Sequence, residues 1–498
     1  MAAFIGIDLG TTYSAVSYID DTGRSKIVHN SEGSNVTPSC IDFSDGKAVV
    51  GEEARRSLGF SDKIAARFKR DMDSSTTTYN IEGNEYTPTD CSAIVLKKIF
   101  QDTKIAIGEV GEAVVTIPAN FANEARNATM TAAKQAGLDV KYIINEPTAA
   151  ALYYAFQSGD GLHGHYAVYD LGGGTFDVTI LKVEGQDIEV VTSGGIARLG
   201  GDDFDTVLQK IVQKKYKEKN GEDLEEGDYT KTDAEEDKKS LSKRDKVMAR
   251  VMRTNIKVTR EEFEQEISSL VAQTEMLCES IIDEAGVKVS DIQEVLLAGG
   301  STRMPVVLES IRRIFKKDPV ASVNVDEIVA LGASLYAAYK GDQSKLSKTQ
   351  QNSIKKIKVA EVTQKFFGTI STKYDENRNE DREGVSILIQ KNEKIPCSVT
   401  RTFYTSHDGQ EIINCQITEA GSAEEDPRFV NIVGSTELSL PPNRPAGKEI
   451  EVTYSFDDSQ IMHTSFVDVE SGEKTEIEFS TTDASEGSSN KIDKFTVE

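Results

Sequence analysis

The sequence contains one strand–turn–strand motif twice, as FIGIDLGTTYSAVSYID at residues 4–20 and as AVYDLGGGTFDVTILKV at residues 167–183. In each copy an apolar run ends in Asp-Leu-Gly, glycine or hydroxyl residues follow, and a second apolar run comes next. A tight turn between two strands directs consecutive backbone N–H groups into one concavity, which can bind an anion. One copy would be weak evidence, but two matched copies predict two related half-domains that clamp a polyphosphate between them.

The aspartate before each turn, Asp8 in the first copy and Asp170 in the second, ends a buried strand. A carboxylate in that position is well placed to hold Mg²⁺ beside a phosphate, mostly through water. The chain has no G-x-x-x-x-G-K-[ST] sequence, which excludes a P-loop nucleotide site.

The pattern of apolar residues divides the chain into four parts. Residues 1–342 alternate apolar strands with helical stretches, which favours an α/β fold. Residues 343–360 are polar and basic and are predicted to be a linker. Residues 361–480 alternate apolar and polar positions, with turn signals at Asp408-Gly409 and Ser471-Gly472, and predict an antiparallel β-sandwich. Residues 481–498 are predicted to be a polar tail with one short strand at KFTV.

Composition excludes several classes of protein. A net charge of −25 without a free basic cluster argues against a nucleic-acid partner. The apolar runs are too short to span a membrane, and no secretion signal begins the sequence. Five scattered cysteines, none in a C-x-x-C pair, favour a reducing cytoplasm. An apolar stripe of period 3.6 predicts one helix over residues 263–282, with Gly286 as its cap.

Six motifs in this order resemble the seventy-kilodalton heat-shock (DnaK-type) chaperones: GIDLGTTYS, VVTIPANF, IINEPTAAAL, YDLGGGTFDV, LGGDDFD and GGSTRMP. The two-loop arrangement is also similar to that of actin and the sugar kinases. The resemblance implies a two-lobed, actin-like α/β ATPase domain at residues 1–342, followed after the linker by a peptide-binding β-sandwich. It also implies ATP and Mg²⁺ as cofactors, with K⁺ as a further ion.

The resemblance assigns a role to each matching residue. Lys69 would lie near the γ-phosphate, and Glu146 would help to order Mg²⁺ and the attacking water. The residues implied to be catalytic are Lys69, Glu146, Thr175, Asp8 and Asp170, of which Asp8, Asp170 and Glu146 would hold the metal. The residues implied to bind ATP are Gly10, Thr11, Thr12, Tyr13, Gly172, Gly173, Gly174, Thr175, Gly200, Gly201, Glu235, Lys238, Ser242, Gly299, Gly300, Ser301, Arg303 and Asp326.

Two further sets come from the same resemblance. Pro118 and Arg126 match the pair that relays the nucleotide state to the rest of the protein. Phe403, Ser406 and Ile413 match the peptide site, where Ile413 would form a pocket and Ser406 part of an arch over the peptide. Arg303 would lay its guanidinium plane over the adenine ring.

The sequence departs from the family at three places. The linker has IKVAEVT at residues 357–363 instead of an acid followed by leucines, so coupling between the domains is in doubt. Tyr142 replaces an arginine that pairs with J-domain co-chaperones, so we expect general J-domain proteins to stimulate poorly. Only a polar segment follows Phe479, so the helical lid is either naturally absent or was cut away. The arch segment at residues 371–384 is unusually polar.

Three functions fit these features. The first is an ATP-dependent chaperone that binds extended unfolded peptides, which the six motifs and the sandwich together favour.

 

The second is an ATP-binding scaffold or holdase with little nucleotide-driven cycling, which the altered linker favours. The third is a small-molecule kinase, for which the appended sandwich has no obvious use. As partners, the chaperone reading implies unfolded peptides, a dedicated J-domain co-chaperone and a nucleotide-exchange factor, acting on a cytoplasmic monomer.

Overall fold

The computed structural model describes residues 3–498 except residues 75, 82, 226, 321–323, 376–379, 459 and 479–494. The chain forms two compact units. The first comprises Met1–Val359 together with Ala484–Glu498, and the second comprises Ala360–Asp483.

The first unit contains two sheets that share one topology. In each sheet a central strand pairs antiparallel with the next strand in sequence, across the turn of the repeated motif, and parallel with a later strand. The first sheet has the order Asp139–Asn145, Val110–Ile117, Ala3–Asp8, Tyr13–Ile19 and Ser25–Ile27, and Thr37–Pro38 also pairs with Tyr13–Ile19. The second sheet contains, side by side, Ile292–Ala298, His163–Leu171, Phe176–Glu184 and Asp187–Ile196. We call the half of the first unit that contains the first sheet lobe I, and the half that contains the second sheet lobe II.

Helices and short strands complete the first unit. The α-helices are Glu52–Arg56, Pro88–Ile107, Asn123–Gln135, Glu146–Ser158, Gly201–Asn220, Lys231–Leu241, Arg260–Glu266, Ser268–Glu284, Pro305–Phe315, Ile328–Lys340 and Lys348–Ile354. The short strands are Cys40–Asp42, Val49–Val50 and Ile64–Ala66 in one small sheet, and the hairpins Tyr79–Ile81 with Asn84–Tyr86 and Lys246–Val251 with Thr254–Thr259. Each lobe buries its own apolar core.

The helix Ile328–Lys340 packs unusually close to its neighbours. A Cβ atom on Gly332 would lie 1.8 Å from the carbonyl oxygen of Ala149, in the helix Glu146–Ser158. A Cβ atom on Gly6, in the first strand, would lie 2.1 Å from the backbone nitrogen of Ser334. Glycine is therefore required at both positions, because any side chain would push the two backbones apart.

The second unit is an antiparallel β-sandwich. One sheet has the order Glu380–Ile389, Phe366–Asp375, Ile412–Ala420 and Asn431–Ser439, and the other has Cys397–Tyr404, Glu449–Phe456, Met462–Asp468 and Lys474–Glu478. The short strand Lys394–Ile395 pairs with the end of Lys358–Val362. Apolar residues that alternate along these strands, such as Ile450, Val452 and Tyr454, are buried between the two sheets. The architecture agrees with the predicted fold class.

Residues 343–360, predicted to be a linker, are mostly structured. Gln343–Lys345 is a short 3₁₀ helix and Lys348–Ile354 is an α-helix, and Leu346, Ile354 and Ile357 are buried. The Gln350 side chain donates hydrogen bonds to the carbonyl oxygens of residues 19 and 20 in lobe I. The polar composition concealed these few apolar anchors, so the prediction of a linker was wrong for residues 343–357.

Two local predictions also need correction. The helix predicted over residues 263–282 is divided at Ile267 into two helices, although Gly286 does adopt the left-handed conformation expected at its end. The turn at Asp408-Gly409 does not close a hairpin, because the strands Cys397–Tyr404 and Ile412–Ala420 belong to opposite sheets of the sandwich. The turn at Ser471-Gly472 joins two paired strands, as expected.

The predicted tail lies largely outside the described residues. Of the KFTV segment, Phe495, Thr496 and Val497 are described, and Val497 forms a parallel bridge with Ala48 in lobe I. Among the helices that the structure describes, none combines the length and apolarity needed to cross a bilayer.

We predict that Gly332→Ala destabilises the first unit. The new methyl group would overlap the backbone of Ala149, and overpacking of this kind typically costs about 2–3 kcal/mol. Gly161→Ala is the matched control, because a Cβ atom there meets open space. Thermal unfolding followed by circular dichroism should show a lower midpoint for Gly332→Ala alone; equal midpoints for the two variants would contradict the close contact.

Candidate nucleotide site

A cavity of about 730 Å³ lies between the turns of the two repeated motifs. Its volume suits a nucleotide-sized ligand. Its lining residues are Asp8, Gly10, Thr11, Thr12, Tyr13, Val36, Lys69, Glu146, Asp170, Gly172, Gly173, Gly174, Thr175, Gly201, Asp202, Asp205, Glu235, Lys238, Lys239, Ser242, Lys243, Gly299, Gly300, Ser301, Arg303, Met304, Val325, Asp326 and Val329.

Nearly all residues that the sequence assigned to catalysis or ATP binding line this one cavity. Gly200 is the exception, and it lies directly behind the second turn: a Cβ atom on Gly200 would be 2.6 Å from the carbonyl oxygen of Gly173. Its glycine therefore serves close packing of two backbone segments rather than contact with a ligand.

The turns of the two motifs touch each other. A Cβ atom on Gly173 would lie 2.5 Å from the hydroxyl oxygen of Thr12, and one on Gly174 would lie 2.3 Å from that of Thr11. Only glycine permits this approach, which brings the backbone of one turn against the hydroxyl groups of the other. The glycine and threonine residues of the two turns are thus positioned by each other.

The N-terminus of one helix and the third glycine cluster both form hydrogen bonds with the second turn. At the N-terminus of the helix Gly201–Asn220, the amides of Gly201 and Asp202 donate to the carbonyl oxygens of Gly172 and Gly173, at 3.0 and 2.8 Å. The Ser301 hydroxyl, in the third glycine cluster, also donates to the carbonyl of Gly172, at 2.9 Å. These bonds hold the turn in one conformation, which preorganises it for an anion.

Lys69 and Glu146 form a buried ion pair in the cavity. Burial alone would lower the pKa of Lys69, but the negative charges of Glu146 and Asp8 outweigh burial and raise it. The lysine therefore keeps its positive charge in a site with little water. Thr116 donates a hydrogen bond to Asp8 at 3.1 Å, which fixes that carboxyl group beside the pair.

The carboxyl groups around the Lys69–Glu146 pair are not balanced by an equal number of positive charges. Burial and the charge of Glu146 raise the pKa of Asp8 to about 7. Burial, with the charges of Glu146 and Asp177, also raises the pKa of Asp170. Such shifts show that the cavity disfavours an excess of negative charge and would accept a further cation.

Asp177 belongs to the same cluster, and the sequence analysis missed it. Burial and the charge of Glu146 raise the pKa of Asp177 to about 8. Its Oδ1 atom accepts from the amide of Asn120 at 3.3 Å, whereas its Oδ2 atom and the Oδ1 atom of Asn120 are buried without a hydrogen-bond partner. The sequence feature that could have identified Asp177 is its position two residues after Thr175, within the second motif.

These groups fit magnesium and a phosphate. Mg²⁺ prefers carboxylate oxygens and retains several waters, and the partnerless oxygen of Asp177 points to a missing cation or donor. Among the residues that the structure describes, no three acidic, histidine or cysteine side chains converge closely enough to ligate a metal directly. Asp8, Asp170 and Glu146, which line the cavity, would therefore hold the ion mainly through water and phosphate oxygens.

Charged side chains from both lobes meet at the mouth of the cavity. Glu235 accepts hydrogen bonds from Tyr13 at 3.3 Å and Arg55 at 2.9 Å in lobe I, and pairs with Lys239 at 2.9 Å. Burial alone would raise the pKa of Glu235, but Lys239 and Arg55 lower it to about 2. Glu235 is thus occupied in an interlobe contact, in addition to its predicted role with adenosine.

A second interlobe cluster was not foreseen from the sequence. Arg67 and Lys231 both pair with the buried carboxylate of Asp202, and Arg70 pairs with Asp203 at 2.5 Å. Burial would raise the pKa of Asp202, but Arg67 and Lys231 lower it. These pairs link the segment that carries Lys69 to the helix behind the second turn, so they help to fix the distance between the lobes.

The remaining predicted contacts lie at the far end of the cavity. Lys238 pairs with Asp205 at 2.7 Å and donates to the carbonyl of Gly201 at 2.8 Å. The half-exposed guanidinium of Arg303 pairs with Asp326 at 2.6 Å and donates to Asn324. Its predicted stacking on adenine stays a prediction.

Pro118 and Arg126 lie outside the cavity but contact its supporting chain. Arg126 donates to the carbonyl oxygen of Phe121 at 3.1 Å and to the side chain of Asn145 at 3.4 Å. Asn145 immediately precedes Glu146, and the carbonyl of Pro118 accepts from the amide of Phe121. The pair is therefore connected to the ion pair, although a signalling role is untested.

The predicted peptide residues belong to the second unit. Phe403 and Ile413 are partly buried against the sandwich core, and they come from opposite sheets. Ser406 is exposed, and its amide donates to the side chain of Gln410 at 2.9 Å. In the opposite arch, residues 376–379 lie outside the described part of the chain.

We predict that replacing Asp177 by asparagine changes the pH dependence of stability. The pKa of Asp177 is near 3.8 in the unfolded chain and about 8 in the folded protein, so folding takes up a proton between these values. Stability therefore falls as the pH rises from about 4 to about 8. Asp177→Asn removes this loss and should gain at least about 1 kcal/mol relative to wild type at pH 8 compared with pH 5.

Urea unfolding without magnesium or nucleotide measures this difference. Asp223→Asn is the matched control, because Asp223 is an exposed carboxylate that does not line the cavity. Parallel pH profiles for wild type and Asp177→Asn would contradict the raised pKa.

Comparison with known protein families agrees with this geometry. The family model described as Hsp70 protein matches residues 4–76 and residues 60–498, two overlapping segments that together span nearly the whole chain. The match includes both motifs of the cavity and the strands of the sandwich. This chain belongs to the Hsp70 family.

Proposed function

We propose that this protein is an ATP-dependent chaperone that couples binding and hydrolysis of ATP to the binding of extended peptides. Hsp70 proteins are in general ATPases and chaperones that bind ATP with Mg²⁺. The observation that carries the proposal is the meeting, in one cavity, of two glycine–threonine turns with the Lys69–Glu146 pair and the buried carboxyl groups.

The chemistry follows from these groups. The two turns would hold the phosphates from opposite sides, and Mg²⁺, when bound, would neutralise charge on the phosphate oxygens. Lys69 keeps its charge and would stabilise the negative charge that develops on the γ-phosphate. Glu146, held by Lys69, would orient the attacking water, and Thr175 lies in the wall of the cavity beside the second turn. K⁺ is a further ion that the buried carboxylates could accommodate.

Peptide binding would take place on the sandwich. An extended peptide can add hydrogen bonds along its backbone while one apolar side chain enters a pocket. Ile413 and Phe403 are partly exposed apolar residues at the corresponding end of the strands, with Ser406 in the loop beside them. We expect weak binding with fast release, because the arch predicted at residues 371–384 is polar.

Partners are also inferred. A J-domain protein would meet Tyr142 rather than an arginine, and the Lys340 ammonium lies 5.9 Å from the centre of that ring. A dedicated J-domain partner is therefore more suitable than a general one, and a nucleotide-exchange factor would act on the lobes. We place the protein in the cytoplasm, since its five cysteines are all free thiols, and we take it to act as a monomer.

A second candidate function is an ATP-binding scaffold with little cycling. The segment that leaves the first unit favours it: Ile357 is buried, and the amide of Lys358 donates to the carbonyl of Gln186 in lobe II at 3.1 Å. A connection that is buried and hydrogen-bonded to lobe II in this way would move little during a nucleotide cycle. We find no observation that favours a small-molecule kinase.

We predict that Lys69→Ala slows ATP hydrolysis by one or two orders of magnitude while ATP binding persists. A preorganised charge beside a transferred phosphate contributes about 3 kcal/mol to the barrier. Single-turnover hydrolysis by the full chain measures the effect, with the exposed Lys182→Ala as control. Equal rates for wild type and Lys69→Ala would remove Lys69 from catalysis, and ATP binding without hydrolysis by the wild type would establish the scaffold instead.

We predict that a short leucine-rich peptide binds the full chain with micromolar or weaker affinity, and that Ile413→Phe weakens binding at least fivefold by filling the pocket. Ile432→Phe is the matched control, because Ile432 is exposed on another strand of the same sheet. Fluorescence anisotropy gives both affinities. Nanomolar binding with slow release would contradict the open site, and unchanged binding by Ile413→Phe would contradict the pocket.

A further inference from the structure

The small sheet of lobe I has an edge strand that is covered by a distant part of the sequence. In this sheet Val49–Val50 lies at the edge, beside Cys40–Asp42. Residues Phe495–Glu498, which we call the docked segment, run parallel to that edge, with Val497 opposite Ala48. An uncovered strand edge presents backbone donors and acceptors that favour pairing with another strand.

Three backbone hydrogen bonds join the docked segment to the edge. The amide of Ala48 donates to the carbonyl of Thr496 at 3.3 Å, and the amide of Glu498 donates back to the carbonyl of Ala48 at 3.0 Å. The amide of Val50 then donates to the carbonyl of Glu498 at 2.9 Å. The alternation of donors and acceptors is that of a regular parallel strand pair.

Side chains add recognition to these bonds. The ring of Phe495 lies 5.5 Å from that of Phe43, edge to face, and 5.9 Å from that of Tyr86. Val497 is buried in the apolar core of lobe I, whereas the side chain of Thr496, between them, is exposed. The segment thus presents an aromatic and an aliphatic side chain to the lobe, two positions apart, as a strand requires.

An ion pair completes the contact. The Lys47 ammonium lies 2.8 and 2.9 Å from the two carboxylate oxygens of Glu498. Both side chains are about half exposed, so the ion pair adds little to the free energy of docking and serves mainly to fix the register of the docked segment on the edge strand. From its first residue to its last, the docked segment therefore consists of an aromatic residue, an exposed residue, an aliphatic residue and an acid.

We propose that the edge of Val49–Val50 is a binding site for an extended peptide of this aromatic–x–aliphatic–acid pattern, and that its resident ligand is the docked segment of the same chain. The site is separate from the nucleotide cavity and from the sandwich, and it does not depend on the proposed ATPase cycle. Because the docked segment follows the second unit in sequence, its binding returns the chain to lobe I.

The test uses the full chain with the docked segment released by Phe495→Ala combined with Val497→Asp. Hydrogen exchange at the amides of Ala48 and Val50 should become at least tenfold faster in this variant, because their acceptors, the carbonyls of Thr496 and Glu498, are lost. Thr496→Ala is the matched control: its side chain is exposed and its carbonyl is kept, so exchange should not change. Unchanged exchange in the released variant would overturn the proposal.

A second measurement tests the site in trans. A fluorescent peptide with the sequence of residues 491–498, KIDKFTVE, should bind the released variant at least tenfold more tightly than the wild type, in which the docked segment competes. The peptide KIDKATDE should bind neither protein. Equal binding of KIDKFTVE to both proteins, or equal binding of the two peptides, would overturn the proposal.

A charge exchange keeps the proposal testable if the released variant does not fold. Lys47→Glu and Glu498→Lys should each raise the exchange rate at the amides of Ala48 and Val50 by two- to fivefold, and the combination should restore the wild-type rate. No effect of either single change, or no restoration in the combination, would show that the segment does not dock in this register.

Discussion

The nucleotide cavity depends on an imbalance of buried charge. Asp8 and Asp170 line a cavity in which Lys69 is already engaged by Glu146, and the buried Asp177 adds its charge to theirs. Without a further cation these carboxyl groups hold protons at a pH where exposed aspartates would be ionised. A magnesium ion would relieve the imbalance, and a bound phosphate would in turn screen the lysine. The same excess of buried negative charge would therefore favour binding of a cation together with a phosphate.

The repeated motif explains how the chain assembles this site. Each copy places an aspartate at the end of one strand or one residue before it, and the next strand begins after a short turn, so each lobe brings one carboxyl group and one turn to the cavity. The contacts of Gly173 with Thr12 and of Gly174 with Thr11 bring the two turns together without intervening side chains. Interlobe ion pairs at Asp202 and Glu235 then fix the separation of the lobes.

Nearly all residues that the sequence assigned to the site line one cavity, because the features that identify them are local to the motifs: a strand end, a glycine turn and a hydroxyl group can be recognised without the fold. Sequence analysis missed the features that depend on tertiary contacts. Arg67 and Arg55 act through partners far away in sequence, Asp202 and Glu235 respectively, and Asp177 was overlooked because its role arises from burial. The segment 343–357 looks like a linker by composition, yet Ile354 and Ile357 anchor it to the first unit.

The most direct test of the nucleotide site is the affinity of the full chain for ATP, measured by calorimetric titration at pH 8 with and without Mg²⁺. If the buried carboxyl groups and the two turns form a magnesium–phosphate site, ATP should bind at least a hundredfold more tightly with Mg²⁺, which corresponds to about 2.7 kcal/mol. Equal affinity in the two titrations, or no binding in either, would contradict this assignment of the cavity.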